Sequence, residues 1–315
     1  MLLAAACLHG AAALGAAPAS TSIFIDTAAW PTIAVSVVLP RASTTPPSVF
    51  ENGLPVKLVS AVNVGRADAA VVAVDHSLSM RGKALRTARG VAGALLLDRQ
   101  PGERIAVVAI ASKAVKLAPF SRTSRAGEKA IAKIKVDSRY GTALYDGVVL
   151  AASALRHQPG ARKAIFLVTD GQGTTGTAGI AEAAAATGLA HATVYPVMID
   201  SATYLPRGLR ELSRATQGAF LGAETRSGST DYAAIASDVR RTWRLVYTTT
   251  ATPGSTVALK IAEQGAPAVT ASTVMPGKAP AKSIFKGHAI VLGGIAIFII
   301  VSLVFLASRR PSRRA

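Results

Sequence analysis

Residues 69–97, AAVVAVDHSLSMRGKALRTARGVAGALLL, decide how this chain folds. AAVVAVD is a short apolar run ending on an acid, the pattern of a strand buried on both faces. GKALRTARGVAGALLL (82–97) then sets Leu85, Ala88, Ala92, Leu95 and Leu96 at helical spacing. The alternation continues along the chain. ERIAVVAIAS (103–112) and AVKLAPF (114–120) read as two strands joined by a tight turn, followed by helices over 125–134 and 142–157. RKAIFLVTD (162–170) and ATVYPVMI (192–199) are further buried strands, with a helix over 177–188 between them that ends at Gly188. A helix over 205–216, a short strand AFLGA (219–223) and a helix over 230–242 complete the pattern. Apolar strands alternating with helices predict a doubly wound α/β domain over residues 67–242, with a mostly parallel sheet covered on both faces.

The flanks read differently. Residues 23–40 and 48–62 are strand-like, and Asn52-Gly53 marks a hairpin. Residues 243–263 predict a second hairpin, turning at Pro253-Gly254. Neither flank could bury a face alone, so residues 20–66 and 243–275 are expected to join as one small β-sandwich, with Trp30 and Trp243 in its core.

Half of the 315 residues are hydrophobic, and the two ends hold part of that excess. Residues 1–19 form an apolar stretch closing on Ala17-Pro18-Ala19, the form of a cleavable signal peptide without its usual basic start. Residues 289–307, AIVLGGIAIFIIVSLVFLA, carry no charge and are long enough to cross a bilayer core of roughly 30 Å as a helix. Residues 276–288 make a linker to that span. The tail, 308–315, holds Arg309, Arg310, Arg313 and Arg314, which the positive-inside bias places in the cytoplasm. The expectation is a single-pass cell-membrane protein with its N-terminal body outside the cytoplasm. The one cysteine, Cys7, lies in the leader, so the body is expected to be stable through its core alone.

The chain carries 35 Lys and Arg against 17 Asp and Glu; setting aside the four tail arginines leaves 31 against 17, near +14. Such a surface favours anionic partners. The basic residues are scattered and aromatics are only 5% of the chain, so nucleic acid is not expected as a partner.

Three segments carry the chemistry. Asp75, Ser77 and Ser79 alternate just past the first strand, where an open α/β sheet places its ligand crevice. Asp170 ends another strand of the same sheet, and Thr142 follows the Tyr140-Gly141 turn. Two carboxylates and three hydroxyls are hard oxygens suited to Mg2+. Neutral hydroxyls leave a cation short of negative charge, which an incoming carboxylate can supply. A rival reading starts from Gly171-Gln172-Gly173-Thr174-Thr175-Gly176, which fits G-x-G-x-x-G, with Asp200 in place of a ribose-binding acid. It would set Asp170 against a pyrophosphate and leave DHSLS without a role. His76 between Asp75 and Ser77 invites a hydrolytic triad, but adjacent residues on an extended strand point to opposite sides. Asp146, one turn past Thr142, could support a metal shell or merely face solvent. Arg81, Lys83 and Arg139 could raise the local positive potential.

D-x-S-x-S (Asp75 to Ser79), G-T (Gly141-Thr142) and T-D-G (Thr169 to Gly171) resemble the metal-ion-dependent adhesion site of von Willebrand factor A domains over residues 67–242. The resemblance implies that Ser77, Ser79 and Thr142 ligate the metal directly, while Asp75 and Asp170 act through water or as outer acceptors. It implies Mg2+, with Mn2+ and Ca2+ as alternatives. The wider arrangement, including RTWRLVY (241–247), is similar to actinobacterial membrane proteins whose A domain precedes a type II secretion/tight-adherence F-type membrane domain. The expectation is a non-enzymatic protein that binds an acidic protein or anionic polymer through Mg2+, acting alone or with a separately encoded membrane partner. The alternative is a structural component of a pilus or secretion assembly that does not use the metal.

Overall fold

The computed structural model describes residues 22–171, 173–199, 207–221 and 232–277. The N-terminal flank holds β1 (Ser22–Asp26), β2 (Thr32–Val38), β3 (Ser48–Glu51), β4 (Leu54–Pro55) and β5 (Leu58–Asn63). Then come β6 (Ala69–Asp75), α1 (Lys83–Leu97), β7 (Arg104–Ile110), β8 (Ala114–Ser121), α2 (Arg125–Ala132) and α3 (Leu144–Arg156). The middle closes with β9 (Lys163–Thr169), α4 (Ile180–Ala190), β10 (Ala192–Met198), α5 (Arg207–Ala215) and α6 (Tyr232–Arg241). The C-terminal flank adds β11 (Thr242–Thr248), β12 (Thr256–Ala262) and β13 (Val269–Val274).

The central sheet has the order β10-β9-β6-β7-β8, parallel except for β8, which returns antiparallel from β7. All seven residues of β6 are buried. Its side chains divide between two cores by their alternation. Ala70, Val72 and Val74 pack with Leu85, Ala88, Ala92 and Leu95 of α1. Ala69, Val71 and Ala73 pack with Leu144, Val148 and Leu155 of α3. The sheet is therefore doubly wound, and an unbroken apolar run was the right sign of a strand with no wet face.

The flanks build two four-stranded antiparallel sheets, β1-β2-β11-β5 and β13-β12-β3-β4. They share a third core of Ile33, Val35, Val37, Trp243, Leu245, Tyr247, Val257, Leu259 and Ile261, with Trp30 packed against it. Asn52 and Gly53, both at positive φ (49° and 83°), make the turn between β3 and β4.

Three expectations are corrected here. Residues 243–263 are not a hairpin: β11 pairs with β2 and β5, while β12 pairs with β13 and β3. Both strands turn an alternating apolar face to the same core, so pairing would have put them in one sheet and left the other without its central strand. The connection between them carries the chain across, and Gly254 N–H bonds the Met275 and Pro276 carbonyls instead of closing a β11–β12 turn. The segment 219–223 forms no strand among its described residues. It meets β10 at one bridge, Val197 to Leu221, held at Gly218, where a Cβ would fall 1.8 Å from the Val194 carbonyl oxygen. Finally, α4 runs past Gly188 to Ala190 and stops at His191, which takes the left-handed conformation (φ 51°). One interior glycine costs only about 1 kcal/mol against alanine, too little to end a packed helix.

The expected leader (1–19), span (289–307) and basic tail (308–315) lie outside the described residues, as does Asp200. Among the described residues, no helix is long and apolar enough to cross a membrane.

Candidate functional site

Parallel strands open their carboxyl ends on one rim, and two carboxylates come to it. Asp75 is the last residue of β6, Asp170 follows the last residue of the adjacent β9, and both are fully buried. At Asp75 the chain turns back on its own side chain. Oδ1 accepts the Ser77 N–H at 2.9 Å and the Ser77 hydroxyl at 2.6 Å, a local bond that short acidic side chains readily make. Ser77 Oγ in turn lies 3.2 Å from Ser79 Oγ. The second carboxylate oxygen, Oδ2, accepts the Thr169 hydroxyl at 2.6 Å, and Thr169 Oγ1 accepts the Gly171 N–H at 3.1 Å.

This wiring has an electrostatic consequence. Burial pushes the Asp75 carboxyl up to about 6; the bonds from Ser77 and Thr169 pull it back, and the charge of Asp170 adds to the rise. A buried carboxylate with a second one close by favours a cation between or beside them. The Ser77 hydroxyl gives its hydrogen to Asp75, so its lone pairs face away from the carboxylate. Ser77 is buried and Ser79 half-buried, so this oxygen-rich group sits just below the surface.

Thr142 is buried and is bonded to the loop after Asp170. Its carbonyl accepts the N–H groups of Thr174 (3.0 Å) and Thr175 (3.2 Å), and its own N–H donates to Thr174 Oγ1 at 3.0 Å. Gly141 makes this contact possible. It stands at φ 100°, and a Cβ there would fall 2.1 Å from the Thr175 methyl carbon. Gly141→Ala should cost about 1–3 kcal/mol through the strained backbone alone. Urea unfolding would measure it, and an unchanged midpoint would show that this loop pairing is unimportant.

Asp75, Ser77 and Ser79 thus form one hydrogen-bonded group, Asp170 adjoins it beside Thr169, and Thr142 is tied to the loop that follows Asp170. Among the described residues, no set of three or more His, Cys, Asp or Glu could hold a metal ion. What the rim offers is two carboxylates together with hydroxyls, a donor set for a hard cation that keeps some of its water.

Other candidates take different places. Asp146 accepts from Thr177 N–H, Thr177 Oγ1 and Ala178 N–H at 2.9–3.3 Å, so it clasps the loop after Asp170. Arg139 chelates Asp137, which also takes the Ser112 hydroxyl; these bonds, Arg139 first, hold the Asp137 carboxyl far below the usual range. Its charge is therefore matched locally, though its side chain is exposed like those of Arg81 and Lys83. The His76 ring bonds the Lys135 carbonyl at 2.8 Å through Nδ1, and the Ser77 hydroxyl is engaged with Asp75, so the two do not form a nucleophile–base pair. The described residues of the glycine motif lie in the loop between Thr169 and Ile180. The N-terminus of α4 that a pyrophosphate would use is taken by Glu182, whose Oε2 accepts the Gly179 N–H at 2.8 Å.

Sequence reasoning overlooked Thr169 as a partner of Asp75. The signal was present: β6 and β9 pair Val74 with Val168, so the following residues, Asp75 and Thr169, come abreast. The Asp146 clasp had no local sign, because its partners lie 31 and 32 residues away.

The doubly wound central sheet thus brings Asp75 and Asp170, with Ser77 beside them, to one rim. Residues 70–172 match the model of the von Willebrand factor type A domain, and that span includes Asp75, Ser77, Ser79, Thr142 and Asp170. No curated protein matches the sequence. Among solved structures the chain is similar to a von Willebrand factor type A protein from Catenulispora acidiphila (15% identity, 84% of this chain and 74% of that one, TM-score 0.47). It is also similar to the conserved hypothetical protein BatB from Bacteroides thetaiotaomicron (18% identity, 54% and 96%, TM-score 0.46). A third is an aerotolerance-related membrane protein from Bacteroides fragilis (16% identity, 55% and 96%, TM-score 0.47).

Proposed function

We propose that this is a membrane-anchored, extracytoplasmic A-domain protein that binds an acidic protein or anionic polymer through a Mg2+ ion, without catalysis. The observation that supports it is the buried Asp75 carboxylate, bonded by Ser77 and Thr169 and crowded by Asp170. Ser77, Ser79 and Thr142 would hold the ion, with Asp75 and Asp170 as outer acceptors or acting through water. When bound, the ion supplies a positive centre with room for one more oxygen ligand. Asp75 accepts the Ser77 hydrogen, which would leave that oxygen's lone pairs available to the ion. The Asp146 clasp keeps the loop after Asp170 in place, and Thr142 is held against that loop. Arg81 and Lys83 add positive potential toward an acidic ligand.

Titrating the full-length chain in zwitterionic nanodiscs with Mg2+ should give a one-to-one heat signal that Asp75→Ala and Ser77→Ala abolish. Wild-type titration by either variant would end the site assignment. Crosslinked membranes should lose the captured partner when EDTA is present. A partner retained in EDTA would favour a pilus or secretion scaffold that packs without the metal. The membrane reading draws on residues 289–307 and the arginine tail; protease added to intact cells should remove the body, and full protection would overturn that topology.

A further inference from the structure

We propose that the small cleft between α5 and the sheet β1-β2-β11-β5 binds a monatomic anion, chloride in an ordinary salt medium, where the flanking sandwich meets the α/β layer. Strand alternation sends Ile33, Val35 and Val37 of β2 into the sandwich core and leaves Ala34 and Ser36 on the opposite face, where they line the cleft. In register, Arg244 of β11 stands beside Ser36, and Asp26 of β1 stands beside Ala34. Helix α5 brings Ser213 and Arg214 against them, and Arg210 lies over the rings of Phe24 and Phe220 to close one wall.

The charges of this cleft do not balance. Among the described residues that line it, Asp26 is the one acid. Arg214 takes both of its carboxylate oxygens, through Nε at 2.8 Å and Nη2 at 3.0 Å, and Oδ1 also accepts the Ala28 N–H. The Arg244 guanidinium is half-buried and makes no hydrogen bond or ion pair among the described residues. Burial pulls it below its usual range, against the opposing influence of Tyr195 and Asp26. A charge withdrawn from water in this way is costly until something pairs with it. Water would give the Arg244 donors an acceptor but no charge, whereas an anion supplies both. The void measures about 20 Å3, room for one water-sized occupant, so a phosphate or a nucleotide is too large and a halide fits. Ser36 and the buried Ser213 line the same void and have hydroxyls that can donate to the ion.

Urea unfolding of the full-length protein in zwitterionic nanodiscs, followed by the fluorescence of Trp30 and Trp243 at the sandwich core, tests this. EDTA is present throughout, and sodium gluconate is replaced stepwise by sodium chloride at constant ionic strength. The midpoint should rise with chloride and then level off, as it does for any ligand of the folded state, and bromide should act in its place. Arg244→Met keeps the apolar stem, removes the unmatched charge and should make the midpoint independent of chloride. Asp26→Asn leaves two guanidiniums to the ion. It should lower about tenfold the chloride concentration that gives half of the rise, as the loss of one nearby unit charge allows. A wild-type midpoint that ignores halide would mean that water alone fills the cleft and would overturn the proposal. So would a saturable rise that persists in Arg244→Met, or an Asp26→Asn protein that needs as much chloride as wild type.

Discussion

Arg240→Ala should lower the unfolding free energy by about 3–5 kcal/mol, the cost of stranding one member of a buried ion pair. Arg240 is 7% exposed and Glu103 1%. The guanidinium donates to the Gly65 carbonyl at 2.6 Å and lies 3.3 Å from Glu103 Oε2, which also accepts the Gln100 N–H at 2.7 Å. Burial pushes the Glu103 carboxyl up, and Arg240 is the first group that pulls it back. Removing the arginine leaves only the Gln100 N–H and the charge of Arg99 to oppose that burial. It also frees the Gly65 carbonyl at the crossing from the flanking sheets into the α/β domain, where the Gly65 Cα packs so closely on Arg240 that a Cβ would fall 2.4 Å from its Cα. At about 2–4 °C per kcal/mol for a domain of this size, the melting temperature should fall by roughly 10 °C. Adding Glu103→Gln to the variant should restore part of the loss, because the stranded charge is gone. A melting temperature unchanged by Arg240→Ala would show that the pair is not a structural tie.

Asp75→Asn should stabilise the chain at pH 8 without metal and lose that advantage when Mg2+ is present. The folded-state pKa of Asp75 is raised from 3.8 to about 6. The folded chain therefore holds this proton more tightly than the unfolded chain does. Its contribution to stability is complete below pH 4 and is lost as the pH rises through 6. A shift of this size corresponds to about 3 kcal/mol of stability missing at pH 8. In EDTA the variant should therefore be more stable than wild type at pH 8 by up to about 3 kcal/mol, and equal to it near pH 4. The asparagine carbonyl can still accept from Ser77, and the Thr169 hydroxyl can accept from the new amide. With Mg2+ at 100 times its dissociation constant, wild type should gain about 2.7 kcal/mol and the variant nothing. Chemical denaturation across pH, with and without Mg2+, separates the two effects. A variant less stable than wild type in EDTA at pH 8 would mean that the buried charge is not a cost.

Much of the architecture was legible because it is written in short-range pattern. Seven buried apolar residues in β6 need no distant information to read as a strand covered on both faces. Helical spacing over α1 likewise shows which face must be covered. Asp75 closes its strand and Asp170 directly follows one, and parallel strands must bring such ends to the same rim. Where short-range pattern misled, two outcomes were locally equivalent. The alternation in β11 and β12 suits a hairpin and suits two strands facing each other across a core. A glycine near a helix end suits a stop and suits continuation.

What the chain determined by itself is therefore most of the elements of the α/β layer, its doubly wound class and the end of the sheet where Asp75 and Asp170 collect. Only the tertiary structure decided that Thr169 completes the bonding of Asp75, that Asp146 holds a loop and that Arg240 meets Glu103. It also decided that Arg139 is matched by Asp137, and that β11 and β12 part into different sheets. The reason is physical: periodicity follows from backbone geometry over a few residues, whereas a hydrogen bond across 94 residues exists only once packing has brought its two strands abreast.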